Sequence, residues 1–245
     1  MPVEIDFDAT AIRVGIAADR LRENLRTYQV MSKIFPALET AGKEVGLYGG
    51  TALNKIYFGI RQRLSYDLDI FCASISGVRA VLESLGSTRA AVRGPRKSAR
   101  GRLMLDGIAI DMWQAKMPEK PVKLQAIDLL HYLGFLVPPM VVPSFSLEYL
   151  LANKTITMAD RNELKDIYDT WMGLKLLKDR GKYRRYLRSI SRERGIRNYE
   201  YYLSYQIDQV MLKSSDYYKK KRIETAQPAS TRTMLMDIKA GLELP

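Results

Sequence analysis

The sequence predicts an α+β protein in which a half that mixes helices and strands is followed by a half made of helices. Short apolar, β-prone runs at 45–48 and 68–72 are typical of buried strands. Residues 102–113 have the pattern of a hairpin, because Asp106-Gly107 is a favoured two-residue turn between two β-prone arms. These three segments place the predicted sheet in the first half of the chain.

A change of pattern marks the boundary between the two halves. Residues 134–144 contain three prolines and cannot form a regular helix, so they are expected to be a linker or an edge segment. We therefore expect a mixed α/β domain over 1–143 and a helical domain over 144–245. Before the boundary one long helix is expected over 9–42. After it, helices are expected over 146–180, 182–193 and 198–222.

The composition excludes several kinds of protein. The 245 residues contain one cysteine, Cys72, and one histidine, His131, so neither a disulfide framework nor a Cys/His zinc site can form. We interpret both side chains as structural. The N-terminus lacks the features of a targeting segment, and no apolar run approaches the ~20 residues of a membrane helix. A cytoplasmic protein is expected, and its formal net charge of +12 favours a polyanionic partner.

Two carboxylates in the second predicted strand are candidate metal ligands. Asp67 and Asp69 are two residues apart, and residues at that spacing point to the same side of a strand. Neighbouring carboxylates repel each other unless a cation is present, and oxygen ligands of this kind suit Mg²⁺. The alternative is a strand end that directs both acids into solvent.

Asp111 is a third candidate carboxylate. It follows Ile108 and Ile110, which share one face of the second hairpin arm, so Asp111 is expected on the other face. A strand beside 68–72 could bring it to the same cation as the first two acids. On spacing alone, a metal ligand and a solvent-facing strand acid are equally compatible with this position.

Gly49 and Gly50 stand between a predicted strand and a predicted helix. Glycines at such a turn let the backbone approach a ligand closely, and the following amides could face an anion. A pair of glycines is also what an ordinary tight turn uses, so on its own the pattern favours the structural interpretation.

Two blocks of sequence together resemble a known family. The first is GGTAL at 49–53 followed by RLSYDLDIF at 63–71, and the second is EYLLANK at 148–154, then Arg161 and KDIYD at 165–169. This order is similar to the nucleotidyltransferase superfamily, and more narrowly to the AbiEii/AbiGii-type toxins of toxin–antitoxin systems. The family often has a basic residue where this chain has Glu163.

The resemblance implies a fold, an activity and a set of site residues. The fold is a small mixed sheet with flanking helices and the site at one edge, joined to a helical domain that completes the nucleotide site. The activity is Mg²⁺-dependent transfer of a nucleotide from an NTP to an RNA acceptor, for which the tRNA 3′ end is one candidate, with a cognate antitoxin as partner. Asp67, Asp69 and Asp111 would be the catalytic residues and would hold two Mg²⁺ ions. The residues implied for nucleotide binding, directly or by supporting the strand, are Gly49, Gly50, Thr51, Arg63, Ser65, Lys154 and Arg161.

The second block also has a physical interpretation. On one continuous helix, Lys154, Arg161 and Lys165 would lie on one stripe, where they could bind a triphosphate. Alternatively they form a solvated face on which Arg161 pairs with Asp166, or Lys165 with Asp169. The sequence leaves the roles of Lys165 and the two aspartates open.

Two basic regions favour contact with nucleic acid. Residues 88–102 contain six Lys and Arg and no acid, and 175–222 contain 15 Lys and Arg, 5 Asp and Glu, and eight tyrosines. Cations bind phosphates, and aromatic rings stack on unpaired bases. The alternative is a solvated helical bundle with half-buried tyrosines. Two other functions stay open, namely an NTP-dependent modifier of a protein and a non-catalytic RNA-binding module.

Overall fold

The chain forms two compact units, Met1–Phe145 and Ser146–Pro245. The computed structural model describes residues 6–89, 99–114, 117, 119–217 and 230–244. Of the helices in these ranges, none combines the length and apolar character needed to cross a membrane.

The N-terminal unit is built on a mixed sheet. Its described strands are β1 (Val45–Tyr48), β2 (Asp67–Cys72), β3 (Thr88–Arg89), β4 (Ala99–Leu105), β5 (Ile108–Gln114), β6 (Val122–Ala126) and β7 (Met140–Ser144). The strand order is β3-β4-β5-β2-β1-β7-β6. β2 pairs with β5 and β1 with β7 in parallel, whereas the other neighbouring pairs are antiparallel. The sheet is thus mixed, as expected, and β2 lies in its centre.

Helices accompany the sheet. The described ones are α1 (Phe7–Val14), α2 (Ala18–Thr40), α3 (Gly49–Ala52), α4 (Ile75–Ser84) and α5 (Leu129–Tyr132). A π-helical turn, Leu53–Tyr57, and a 3₁₀ turn, Gly59–Arg61, follow α3. The expected single helix over 9–42 is wrong, because Gly15 has a φ of 67° and caps α1 before α2 begins.

The predicted hairpin is confirmed, and the predicted linker is corrected. β4 and β5 pair around Asp106 and Gly107, whose φ angles of 50° and 79° are those of a tight hairpin turn. The second part of the proline-rich segment is not a linker or an edge, because it forms β7 between β1 and β6, whereas residues 134–139 form neither helix nor strand. Pro143 lacks a backbone N–H, yet β7 pairs with β6 along its whole length and, through Ser144, with Leu47 of β1.

The C-terminal unit is helical in its described part. Its helices are α6 (Leu147–Arg161), α7 (Leu164–Leu176), α8 (Arg180–Glu193), α9 (Tyr199–Tyr217) and α10 (Thr231–Gly241). Buried side chains such as Ile156, Tyr168, Leu187, Leu203 and Leu235 form its core. The end of the chain, which is weakly patterned in sequence, still contributes α10 to this core.

The expected helix over 146–180 is wrong, because it is two helices. Asn162 ends α6 in the left-handed conformation, with a φ of 53°, and donates its N–H to the carbonyl of Met158. Asparagine tolerates this conformation better than most residues. The break places Lys165 on a different helix from Arg161, so the predicted three-cation stripe does not form.

Candidate active site

The three predicted carboxylates lie on one face of two adjacent strands. Side chains alternate along β2, and Leu68 and Ile70 are fully buried on one face, so Asp67 and Asp69 lie on the other. β5 pairs Asp69 directly with Asp111. Residues directly opposite each other on paired strands share a face, so the register brings Asp111 beside the predicted pair.

Asp111 is paired with an arginine that the sequence analysis did not single out. Arg102 lies directly opposite Asp111 on β4. Its Nε and Nη2 donate to Oδ1 and Oδ2 of Asp111 at 2.7 and 2.5 Å. The hydrogen bond to Asp111 raises the pKa of Arg102, and the negative charges of Asp111, Asp67 and Asp69 add to this effect. The guanidinium therefore lies within the field of all three carboxylates.

Position 49 requires a glycine because its backbone lies against the side chain of Asp69. Its φ is +70°, and a Cβ added at this position would lie 2.2 Å from Oδ2 of Asp69. Any side chain here would both strain the backbone and displace the carboxylate. The glycine pair thus lets the turn from β1 into α3 pass directly against the central carboxylate, which is more than an ordinary tight turn requires.

Three further predicted residues lie around the start of β2. Thr51 is buried, and its hydroxyl donates to the carbonyl of Asp67 at 2.7 Å. Arg63 donates its backbone N–H to Asn54 and its Nη1 to the carbonyl of Leu64. Ser65 is buried, with no hydrogen-bond partner for its Oγ in the described part of the chain. The contacts of Thr51 and Arg63 hold the segment that leads into the carboxylate strand.

A buried ion pair, which the sequence analysis also missed, holds the same segment. Nζ of Lys55 lies 2.6 Å from Oδ2 of Asp128, 2.7 Å from Oδ1 of Asn24 and 3.2 Å from Oε1 of Gln62. Both charged side chains are 0% exposed. Oδ1 of Asn24 also accepts the N–H of Ser65. A Lys followed at a distance by an Asp carries no signal for such a pairing in sequence.

The donor chemistry of the site fits Mg²⁺. Asp67 and Asp69 supply the carboxylate oxygens that this ion prefers, and one or two carboxylates with substrate phosphates often complete its shell. Yet no three His, Cys, Asp or Glu side chains among the described residues are grouped to hold a metal ion. Both oxygens of Asp111 accept hydrogen bonds from Arg102, so the guanidinium competes with a metal ion for this carboxylate.

In the helical unit, Lys154 is paired with two buried carboxylates. Its Nζ lies 2.8 Å from Oδ1 of Asp166 and 3.1 Å from Oδ2 of Asp169. All three side chains are at most 10% exposed, and Oδ2 of Asp166 is buried without a hydrogen-bond partner in the described chain. One lysine against two aspartates leaves this cluster with a formal charge of −1.

The described part of the structure does not contain the alternative ion pairs expected for Arg161 and Lys165. Neither Arg161–Asp166 nor Lys165–Asp169 pairing is seen, because both aspartates turn to Lys154. Arg161 is exposed at the end of α6, and Lys165 pairs with Glu163 at 3.3 Å.

The remaining predictions concern the basic regions and two single residues. Arg93, Arg96 and Lys97 of the first region, and 218–222 of the second, lie outside the described residues. Cys72 is fully buried, as the sequence predicts, and burial raises its pKa to about 11. His131 is hydrogen-bonded to the carbonyl of Val137 through Nδ1.

Comparison with known proteins identifies one family. The family model of the AbiEii nucleotidyl transferase toxin of type IV toxin–antitoxin systems matches residues 37–244. The match spans both units and includes all ten predicted site residues. No curated protein matches the chain.

Solved structures share the fold at low sequence identity. MenT4, a nucleotidyltransferase toxin from Mycobacterium tuberculosis, aligns with a TM-score of 0.63 and 14% identity over 98% of this chain and 89% of its own. JHP933 from Helicobacter pylori gives 0.54 and 14% over 90% of each chain. The solution structure of the antibiotic-resistance factor ANT(2'')-Ia gives 0.51 and 12% over 70% and 95%.

Proposed function

Because the chain belongs to the AbiEii nucleotidyltransferase toxin family of type IV toxin–antitoxin systems, we propose that it transfers a nucleotide from an NTP to an RNA acceptor. The observation that carries this proposal is the register that sets Asp69 beside Asp111 while the Gly49 backbone approaches Asp69. A cognate antitoxin follows from the family, and the 3′ end of tRNA is the acceptor we favour.

Asp67 and Asp69 are the proposed ligands of two Mg²⁺ ions, with Asp111 as a third ligand once Arg102 has moved. Bound there, the ions would supply positive charge beside the phosphate that is attacked. The acceptor hydroxyl would attack the α-phosphorus of the NTP, and pyrophosphate would leave. Asp111 is proposed to accept the proton of that hydroxyl.

The backbone amides of Gly49 and Gly50, with Thr51, are proposed to contact the outer phosphates. The approach of the Gly49 backbone to Asp69 supports this, because a phosphate contacted by this turn would lie close to the carboxylate strand. The hydrogen bond from Thr51 to the Asp67 carbonyl fixes the turn against β2. Arg63 and Ser65 support the strand from the segment that precedes it.

Lys154 and Arg161 are proposed nucleotide-binding residues of the helical unit. Asp166 and Asp169 orient the Lys154 ammonium through ion pairs of 2.8 and 3.1 Å. Lys154→Ala would leave two buried carboxylates without their cation, so a loss of activity could reflect unfolding. Lys154→Arg keeps the charge and is the better probe.

The expected result for Lys154→Arg is a higher KM for the NTP with unchanged RNA affinity, and thermal unfolding measures what the larger guanidinium costs in this buried site. Arg161→Gln should act in the same direction, and Lys165→Gln, which alters only an exposed pair with Glu163, is the control. An unchanged KM in both Lys154→Arg and Arg161→Gln would remove these residues from the proposal.

RNA is the acceptor class that the charge and the rings of the helical unit favour. Tyr201 and Tyr205 on α9 are 67% and 50% exposed, and their rings lie nearly parallel at 17° with centroids 6.5 Å apart. Exposed rings of this kind can stack on unpaired bases. The surrounding excess of Lys and Arg can bind the phosphates.

Labelled NTPs test the proposal against its two alternatives. The protein is incubated with total RNA, or with a bacterial protein extract, and each α-labelled NTP, with and without Mg²⁺. Labelled RNA only in the presence of Mg²⁺ is the expected result. Label on protein would support the protein modifier, and RNA binding without any labelled product would support the non-catalytic module.

A further inference from the structure

A cavity with a basic lining lies within the helical unit. It measures about 160 Å³ and is lined by α8, the start of α9 and the residues that follow α10. Arg180, Arg184 and Arg188 line it together. They are spaced four residues apart on α8, so they project from one face of the helix.

Two carboxylates share the cavity with these arginines. Oε2 of Glu243 accepts from Nη2 of Arg184 at 2.6 Å, and its Oε1 lies 3.9 Å from Nη1 of Arg180. Oε1 of Glu200 accepts from the hydroxyl of Tyr199 at 2.9 Å. Three guanidiniums against two carboxylates leave the lining with a formal charge of +1.

Glu243 is held in the cavity by an unusual backbone. Its φ is +55°, in the left-handed region that side chains other than glycine rarely adopt. The turn after α10 produces this geometry, with the Glu243 N–H donating to the carbonyl of Ala240 at 3.1 Å. The resulting ion pair with Arg184 is open to water, since the two side chains are 42% and 64% exposed. Exposed pairs contribute little to stability, so another anion can replace the carboxylate.

We propose that this cavity is a phosphate-binding site in which Glu243 occupies the place of the phosphate until a ligand displaces it. An arginine fork binds phosphate and carboxylate oxygens in the same way. The volume is below the roughly 300–1,000 Å³ of pockets that enclose a drug-sized ligand. It suits a phosphate group with part of its sugar rather than a whole nucleoside triphosphate.

The phosphate could belong to the RNA backbone or to a free phosphate compound. The proposed RNA acceptor favours the first source, and to that extent the inference rests on the proposed function. The binding assays below contain EDTA and no NTP. Their outcome is therefore independent of whether the carboxylate site transfers nucleotides.

The test measures binding of a short single-stranded RNA with 5′-hydroxyl ends and, separately, of inorganic phosphate. Arg184→Gln/Arg188→Gln is compared with Arg185→Gln/Arg192→Gln, which removes the same charge from the same helix outside the cavity. The first pair should weaken binding more. It should also reduce the salt slope of RNA binding by about 0.7 for each RNA phosphate that the variant no longer binds.

A gain-of-binding variant covers the possibility that the arginine variants fail to fold. Glu243→Gln should strengthen binding by up to about fivefold, because the exposed ion pair that it removes contributes about 1 kcal/mol at most, and that energy corresponds to a fivefold ratio. Glu193→Gln, an exposed glutamate of α8 outside the cavity, should strengthen it less.

The two ligands distinguish the sources. Effects on RNA alone assign the cavity to the nucleic-acid backbone, and effects on both ligands assign it to phosphate groups in general. The proposal is overturned if each arginine pair weakens binding equally and Glu243→Gln behaves like Glu193→Gln.

Discussion

Two ion pairs of the N-terminal unit have similar distances and opposite surroundings. Lys55–Asp128 is 0% exposed on both sides, whereas Arg102–Asp111 is 34% and 24% exposed. Burial lowers the pKa of Lys55, whose charge is tolerated because Asp128 opposes it. The hydrogen bond to Asp111 instead raises the pKa of Arg102.

The difference lies in how the charge of each group is balanced. Around Lys55 one cation meets one anion, and neutral amides of Asn24 and Gln62 complete the hydrogen bonds. Around Arg102 one cation lies near three carboxylates, which leaves a formal charge of −2. The first arrangement suits a fixed structural element, whereas the second has an excess of negative charge. Substitutions around Lys55 should therefore lower stability, whereas substitutions around Arg102 and its carboxylates should mainly change nucleotide transfer.

The largest effect is expected for Lys55→Met, which leaves Asp128 buried without its cation. Breaking a buried pair in this way should cost about 3–5 kcal/mol of unfolding free energy. Chemical denaturation measures it, and Lys55→Met/Asp128→Asn should recover part of the loss. Lys33→Met, which removes an exposed lysine paired with Asp106, is the control and should cost about 1 kcal/mol or less. A single variant as stable as this control would contradict the structural role of the pair.

Asp69→Asn should lower the rate of transfer without lowering stability, in contrast to Lys55→Met. Losing one group that organises charge in a transition state typically lowers the rate by about 10²–10³, and a metal ligand should lose at least as much. The melting temperature should hold or rise, because repulsion from Asp67 is relieved. Transfer to labelled RNA and thermal unfolding measure the two effects. Asp106→Asn, in the hairpin turn, is the matched control, and wild-type transfer by Asp69→Asn would refute the mechanism.

Gly49→Ala should combine a moderate loss of stability with a larger loss of transfer. The left-handed backbone should cost about 1–2 kcal/mol, and the added Cβ would displace the Asp69 carboxylate. A displacement near 1 Å can lower a rate by about 10². Gly42→Ala has a similar φ of +62° and no atom within 4 Å of its Cβ, so it should lose stability alone. Equal transfer by both variants would show that Gly49 only forms a turn.

The smallest effect on stability is expected for Arg102→Gln, which breaks a partly exposed pair. Its unfolding free energy should change by about 1 kcal/mol or less. With Asp111 released, the Mg²⁺ concentration for half-maximal transfer should fall, by up to about fivefold. Mn²⁺ binding to the protein without substrate gives a second measurement. Arg89→Gln, which breaks the exposed pair with Glu83, is the control. An unchanged metal requirement would mean that Arg102 does not compete with the cation.

Much of the carboxylate site can be predicted from short stretches of the sequence. The spacing of Asp67 and Asp69 fixes their common face, because side chains alternate along a strand. The Asp106-Gly107 turn fixes the register of its hairpin, and counting outward from it sets Arg102 opposite Asp111. The sequence therefore contains the pairing of Arg102 with Asp111, whereas composition alone shows Arg102 only as one base of a basic region.

Only the tertiary structure decided the contacts between distant segments. Nothing local pairs Lys55 with Asp128, which is 73 residues away, or places Gly49 against Asp69. The parallel pairing of β2 with β5 likewise depends on how the whole sheet assembles. The helical pattern of the sequence continues through Asn162 and does not reveal that α6 ends there. Only the structure shows that Lys154 on α6 pairs with Asp166 and Asp169 on the next helix. Local spacing thus determined which side chains share a face, while packing determined which charges meet.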